Sequence, residues 1–128
     1  MLAALASRLF VPLAPERIYL SDGSWVEVDG VGQNPPVLVE AWAHQGPPKS
    51  AQRNKVLADA LKLVHVAKAL GEVHRKVLCF SDPAAAAPFT GRSWYAGALR
   101  ALQVECHVVT LDDGWRQRIL QAQRRQYR

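Results

Sequence analysis

The sequence predicts an α/β fold, a mixed sheet flanked by helices. Apolar runs with period two or no break, at 17–29, 37–44, 77–80 and 104–111, read as strands. A wide apolar arc of helical period runs from Ser50 to Leu70, between the third strand and the fourth. The order is then helix, three strands, helix, strand, helix, strand, helix. A meander followed by a crossover requires a mixed sheet with helices on its faces. At 128 residues, 49% hydrophobic and 21% charged, the chain is one globular domain, 1–128, with one sizeable core.

Each element has its own justification. Leu2, Leu5 and Leu9 share a face of the opening helix; Arg8 and the lack of a basic leader argue against a signal peptide. Arg17-Ile-Tyr-Leu-Ser21 and Ser24-Trp-Val-Glu-Val-Asp29 flank Asp22-Gly23, a hairpin signal, and form the first two strands. Gly30 to Pro36 is turn chemistry, and Val37 to His44 is a mostly buried third strand that Gly46-Pro-Pro48 stops. Strict alternation places Val26, Val28, Val37, Val39 and Ala41 on one apolar surface. Glu27, Asp29, Glu40, Trp42 and His44 fall on the other.

Ser50 is the expected N-cap of the long helix and Gly71 its terminator. Val77 to Phe80 and Val104 to Leu111 are two further interior strands. Between them lie Ala84 to Ala87, bracketed by Pro83 and Pro88 as a surface loop or short helix, and a helix around Ser93 to Leu102. Ser93 caps that helix and Trp94 packs it. The last helix follows Asp112-Asp113, with Trp115 and Ile119 as its inward pair.

Composition narrows the function classes. No apolar run approaches the length of a membrane span, and a cytoplasmic setting is the simplest expectation. Cys79 and Cys106 lack a Cys-x-x-Cys spacing, which disfavours a zinc ribbon or redox motif and fits a reducing compartment. His44, His65, His74 and His107 have no ligand spacing; His44, near Glu40, is the one kept as a candidate ligand. The chain has no Gly-x-Ser-x-Gly elbow, phosphate-binding Gly-x-x-x-x-Gly-Lys or dinucleotide Gly-x-Gly-x-x-Gly; Gly91 to Gly97 has the wrong spacing for any of them.

The net charge of +5 is local. Arg116, Arg118, Arg124, Arg125 and Arg128 equal it, and no acid lies among them. Such a helix can contact phosphate backbones or be a solvated face. It could instead supply a homodimer interface, an arrangement suited to cutting both strands of a duplex.

Glu40 is the outstanding residue. A carboxylate inside an apolar strand is costly unless paired, solvated or bound to a cation, and a divalent metal site is the sharpest explanation. On the following helix, Lys55, Asp59 and Lys62 fall at i, i+4 and i+7 on one stripe. The stripe is equally an exposed row of ion pairs worth about 0.2–0.5 kcal/mol each.

With these elements and acids the chain resembles the PD-(D/E)XK nuclease superfamily, the restriction-endonuclease-like fold. Residues 1 to about 82 follow its αβββαβ core, and a helix-strand-helix is added at the C-terminus. The resemblance implies that Asp29, ending the second strand, and Glu40, in the third, are metal ligands for Mg²⁺ or Mn²⁺. It also implies phosphodiester hydrolysis of nucleic acid, DNA ahead of RNA.

The chain departs from the family at Trp42, two residues past the acid, where lysine is usual. Members of the superfamily tolerate relocation of the lysine to the next helix. Lys55 is then the expected catalytic lysine, with Lys49, Lys62, Asp59, Glu27 and His44 as further site residues. Arg116, Arg118, Arg124 and Arg125 would bind nucleic acid. The alternative is a catalytically inactive nuclease-like domain that binds nucleic acid or a partner protein, which Trp42 favours.

Overall fold

The computed structural model describes residues 1–110 and 113–126. Leu111, Asp112 and Arg128, named above, lie outside them. The elements are α1 (Leu2–Leu9), β1 (Ala14–Tyr19), β2 (Trp25–Gly32), β3 (Val37–Trp42), α2 (Ser50–Leu70), β4 (Arg75–Phe80), α3 (Pro83–Thr90), α4 (Trp94–Ala101), β5 (Val104–Val108) and α5 (Asp113–Gln126). The five strands form one mixed sheet in the order β1-β2-β3-β4-β5. The first three make an antiparallel meander, and β4 and β5 run parallel to β3. Among the described residues no helix is long and apolar enough to cross a membrane.

Helices cover both faces. Leu38, Leu78, Phe80 and Val104 pack with Val56, Ala60, Leu63 and Val66 of α2 and with Ala85, Phe89 and Leu99 of α3 and α4. On the other face Val37, Val39, Val77 and Cys79 meet Leu5 of α1 and Val109. Burial on both faces explains why β3 and β4 read as unbroken apolar runs. Each fully buried Leu, Val or Phe contributes about 1.5–3 kcal/mol relative to exposure.

The strict alternation expected along β2 does not hold. Val26 and Val28 pack on the α2 face, whereas Val37 and Val39 face α1. A bulge is the cause. Ala14 pairs with Val31 and Glu16 with Val28, so three steps on β2 oppose two on β1. The extra residue, at Asp29-Gly30, reverses the parity of the strand. β2 also continues through Gly30-Val31-Gly32, which pair with Val39, Leu38 and Val37, so the turn is confined to 33–36. A Cβ on Gly32 would lie 2.5 Å from Val11 Cγ1, a contact that keeps the position open for the segment after α1.

Other boundaries also move. The N-cap of α2 is Lys49, whose N–H is accepted by Gln52 Oε1 at 2.8 Å, and Ser50 is the first helical residue. Gly71 terminates the helix in the left-handed conformation, φ 72°. The Ala/Pro segment is the short helix α3, capped by Asp82, and Ser93 Oγ caps α4 by accepting Ala96 N–H at 3.2 Å.

Trp94 and Trp115 are not core residues. Trp94 is 69% exposed and leans on Tyr95, and Ala96 and Leu99 take the inward positions of α4. Trp115 is 55% exposed with the Arg118 guanidinium over its ring; Ile119, Leu120 and Gln123 form the half-buried face of α5. Both tryptophans sit in the first turn of a helix, where the apolar period alone does not decide direction. Cys106 lies on β5 at the end of the strand order, not on an interior strand. Burial pushes both thiols up to about 11, so they are protonated at neutral pH.

Candidate active site

Asp29 and Glu40 meet where β2 leaves β3. The ladder between the two strands runs from Gly32–Val37 to Gly30–Val39. One step further the β2 bulge turns its backbone away, and Ala41 N–H donates to the Asp29 carboxylate, Oδ2, at 2.9 Å. A side chain thus replaces a strand carbonyl as acceptor. Continuing the register, Asp29 falls opposite Glu40 on the α2 face, and the two carboxyls interact directly.

Glu40 is 4% exposed, on the line Leu38, Glu40, Trp42 that faces α2. Burial is the main cause that pushes its carboxyl up to about 8; the Asp29 carboxyl raises it further and Lys62 opposes. The Lys62 ammonium forms an ion pair with Glu40 Oε1 and donates to the main-chain oxygen of Glu27 at 2.8 Å. Among the described residues Oε1 accepts no hydrogen bond beyond that ion pair. Asp59, one turn before Lys62, is shifted upward by burial and feels Lys62, Asp29 and Lys55. The stripe Lys55, Asp59, Lys62 therefore faces the acids, and its ion-pair character is directed into the sheet.

The lysines of that stripe are not equivalent. Lys62 reaches Glu40, whereas the Lys55 amine lies 5.8 Å from the centroid of the Trp42 ring. Trp42 is half-buried against the α2 core, and its indole N–H is buried without a hydrogen-bond partner among the described residues. Glu27 does not share a face with Asp29. The bulge turns its side chain outward onto Arg17, 2.8 Å away, so that its main-chain carbonyl lies toward the site.

His44 is half-buried with its ring 5.7 Å from Trp42, and burial lowers its pKa. Lys49 stands at the start of α2. Arg118, Arg124 and Arg125 are exposed on α5, while Arg116 Nε donates to Gln45 Oε1 at 3.3 Å. Gln45, buried just past β3, escaped the sequence reading. A glutamine in a Gly/Pro loop carries no periodic signal, and its role depends on α5 docking beside it.

A second acid shows what a purely structural carboxylate looks like here. Glu105 accepts two hydrogen bonds from the Arg75 guanidinium at 2.7 and 2.9 Å and one contact from His107 at 3.1 Å. These hold its carboxyl down at about 2, with Arg75 the main cause. Glu40 has the opposite balance, a buried acid next to another acid with one ammonium on it.

The donor set fits a hard divalent cation. Two carboxylates offer oxygen ligands, and a cation would offset both the burial of the Glu40 charge, the main cause of its upward shift, and the smaller contribution of Asp29. Among the described residues no group of three or more His, Cys, Asp or Glu side chains converges as a metal cage. A two-carboxylate set suits Mg²⁺ or Mn²⁺, which retain water ligands, better than a closed zinc site. Comparison with models of known protein families, with curated proteins and with solved structures finds no match to this chain.

Proposed function

We propose that this chain is a divalent-metal-dependent phosphodiesterase of the PD-(D/E)XK nuclease type, acting on nucleic acid, DNA in the first instance. One observation carries the reading: a buried acid, Glu40, lies beside a second acid, Asp29, and on a lysine amine, Lys62, at the bulged end of two strands. The element order supports it, since α1 to β4 run as helix, three-strand meander, helix and parallel fourth strand.

In this reading Asp29 and Glu40 hold Mg²⁺ or Mn²⁺. When bound, the cation would polarise the scissile phosphate and lower the pKa of water. Lys62 leaves Glu40 for the phosphate, where its ammonium offsets the charge that develops on the non-bridging oxygens. The Glu27 carbonyl, which accepts from the same ammonium, stays as its anchor during that exchange. Water oxygen bonds to phosphorus, the bond to the leaving sugar oxygen breaks, and a proton passes to that oxygen. Trp42, at the usual lysine position, walls the site on the α2 side.

Trp42 also favours the second reading, a nuclease-like domain without catalysis. Its indole occupies core volume beside the acids, and Glu40 is already neutralised in part by Lys62. Titration calorimetry with Mn²⁺, paired with cleavage of mixed DNA and RNA substrates, separates the two. The expected result is metal binding and cleavage that Asp29→Ala and Glu40→Ala both remove. Lys62→Ala is expected to lower the rate by about 10²–10³, and Lys55→Ala by less. Absence of Mn²⁺ binding by folded wild type would replace the hydrolase reading with the binding domain.

A further inference from the structure

We propose that the β5 edge of the sheet is a homodimer interface. A second copy of this chain adds its own β5 antiparallel, about a two-fold axis through Cys106, and the two sheets become one. The proposal stands apart from the hydrolase reading and does not need it.

The two edges of the sheet are not alike. β1 carries Pro15, the adjacent charges Glu16 and Arg17, and a register shift between Ala14 and Glu16, features that blunt an edge against further pairing. β5 has no proline, lysine or register shift, and it pairs with β4 without interruption from Val104 to Val108. Just past it, Val109 N–H donates to Phe80 O at 2.7 Å. Main-chain direction alternates along a strand, so Glu105 and His107 also turn their N–H and C=O groups to β4, and Val104, Cys106 and Val108 turn theirs outward. Among the described residues these outward groups have no hydrogen-bond partner.

The side chains say what fits this edge. Val104-Glu-Cys-His-Val108 is complementary to its own reverse. Antiparallel pairing about Cys106 sets Val104 opposite Val108 and Glu105 opposite His107, each pair occurring twice, and outward main-chain groups meet outward main-chain groups. Moving the axis to Glu105 or His107 puts like residues face to face and shortens the overlap. Glu105 and His107 then form the closer, non-hydrogen-bonded kind of pair. Arg75 and the same chain's His107 occupy three of the roughly four acceptor positions of the Glu105 carboxylate, which leaves one for His107 of the second copy. On the other face a groove of about 510 Å³ runs between α4 and β5, with Phe89, Leu99 and Val104 in its wall. Val108 of the second copy, opposite Val104, falls at its open side. An isologous pair of this kind closes at two copies. Glu40, Leu78 and Cys106 lie in one row of the sheet, so the axis puts both copies of Glu40 on the same face, roughly 24 Å apart at the usual strand spacing.

The test is sedimentation equilibrium of the full chain from about 1 to 300 μM, the range of small reversible interfaces. His107→Glu sets two pairs of carboxylates against each other across the axis, and His107→Lys keeps the opposite charges. Val108→Pro removes an outward N–H that a single copy leaves unbonded. Thermal melts verify folding. The expected result is a concentration-dependent doubling of mass in wild type and His107→Lys, a dissociation constant raised about tenfold or more in His107→Glu, and no dimer in Val108→Pro. If Val108→Pro does not fold, His107→Glu against His107→Lys decides. Wild type that stays monomeric at the highest concentration overturns the interface, and so does a dimer that folded His107→Glu leaves unchanged or that His107→Lys weakens equally. Loss of such a dimer in Arg118→Glu would assign it to α5 instead.

Discussion

At the residue scale the chain spends stability on Glu40. Its carboxyl ionises near 8 in the folded protein against an ordinary 4.5. Below 4.5 the folded and unfolded states both hold the proton. Between 4.5 and 8 the folded state binds a proton that the unfolded state has released, so this group's contribution is lost as pH rises through about 8. The thermal midpoint is therefore expected to fall across that window, and Glu40→Gln is expected to flatten the decline. A profile identical to wild type in Glu40→Gln would place the titration elsewhere. Saturating Mn²⁺ should reverse the loss, by about 2.7 kcal/mol at a hundredfold excess over its dissociation constant. Asp29 and Glu40 were legible from the sequence because acids beside apolar strand residues are chemically conspicuous. The partner amine was less so: Lys55 and Lys62 share a stripe, and only the packing angle of α2 decides which of them touches the acids.

At the scale of elements, short side-chain contacts dock the last helix. The Gln123 side-chain amide accepts from the Gln45 N–H and donates to the Gln45 carbonyl, satisfying a buried main chain. Gln123→Ala would leave that N–H and carbonyl unpaired, at a cost of about 1–3 kcal/mol. Urea unfolding measures it, and limited proteolysis of α5 should accelerate in parallel; unaltered stability would mean that α5 is held by Ile119, Leu120 and Arg116 without Gln123. The β2 bulge is the other decision at this scale. Gly30 directly after Asp29, inside a strand pattern, is the one signal that could have revealed it. Read instead as the start of a turn, it put Val26 and Val28 on the face of Val37 and Val39, and Glu27 on that of Asp29. Trp115 failed for a related reason: Ile119 lies between Trp115 and Leu120 around the helix, so the apolar period alone does not decide which of the two shares its inward face.

At the scale of the molecule, one sheet is shared by two apolar clusters, with α1 on one side and α2, α3 and α4 on the other. Leu5 and Leu63 are both fully buried, one in each cluster. Leu5→Ala and Leu63→Ala are each expected to cost about 2–5 kcal/mol. Because β3 and β4 belong to both clusters, each variant should shift a single unfolding transition with an unchanged denaturant slope. Separate transitions by far- and near-ultraviolet circular dichroism would show that the faces unfold independently.

The sequence by itself determined the α/β class, the order of elements, and the acids Asp29 and Glu40 as chemical outliers. Those follow from local periods, from glycine and proline punctuation, and from the cost of burying charge. Tertiary structure decided the rest: that a bulge moves Val26 and Val28 to the α2 face while Asp29 stays opposite Glu40, that Lys62 is the amine on Glu40, and that Gln45 anchors α5 over the end of β3. Each of these joins residues distant in the chain through the angle between packed elements, and that angle is a property of the whole core.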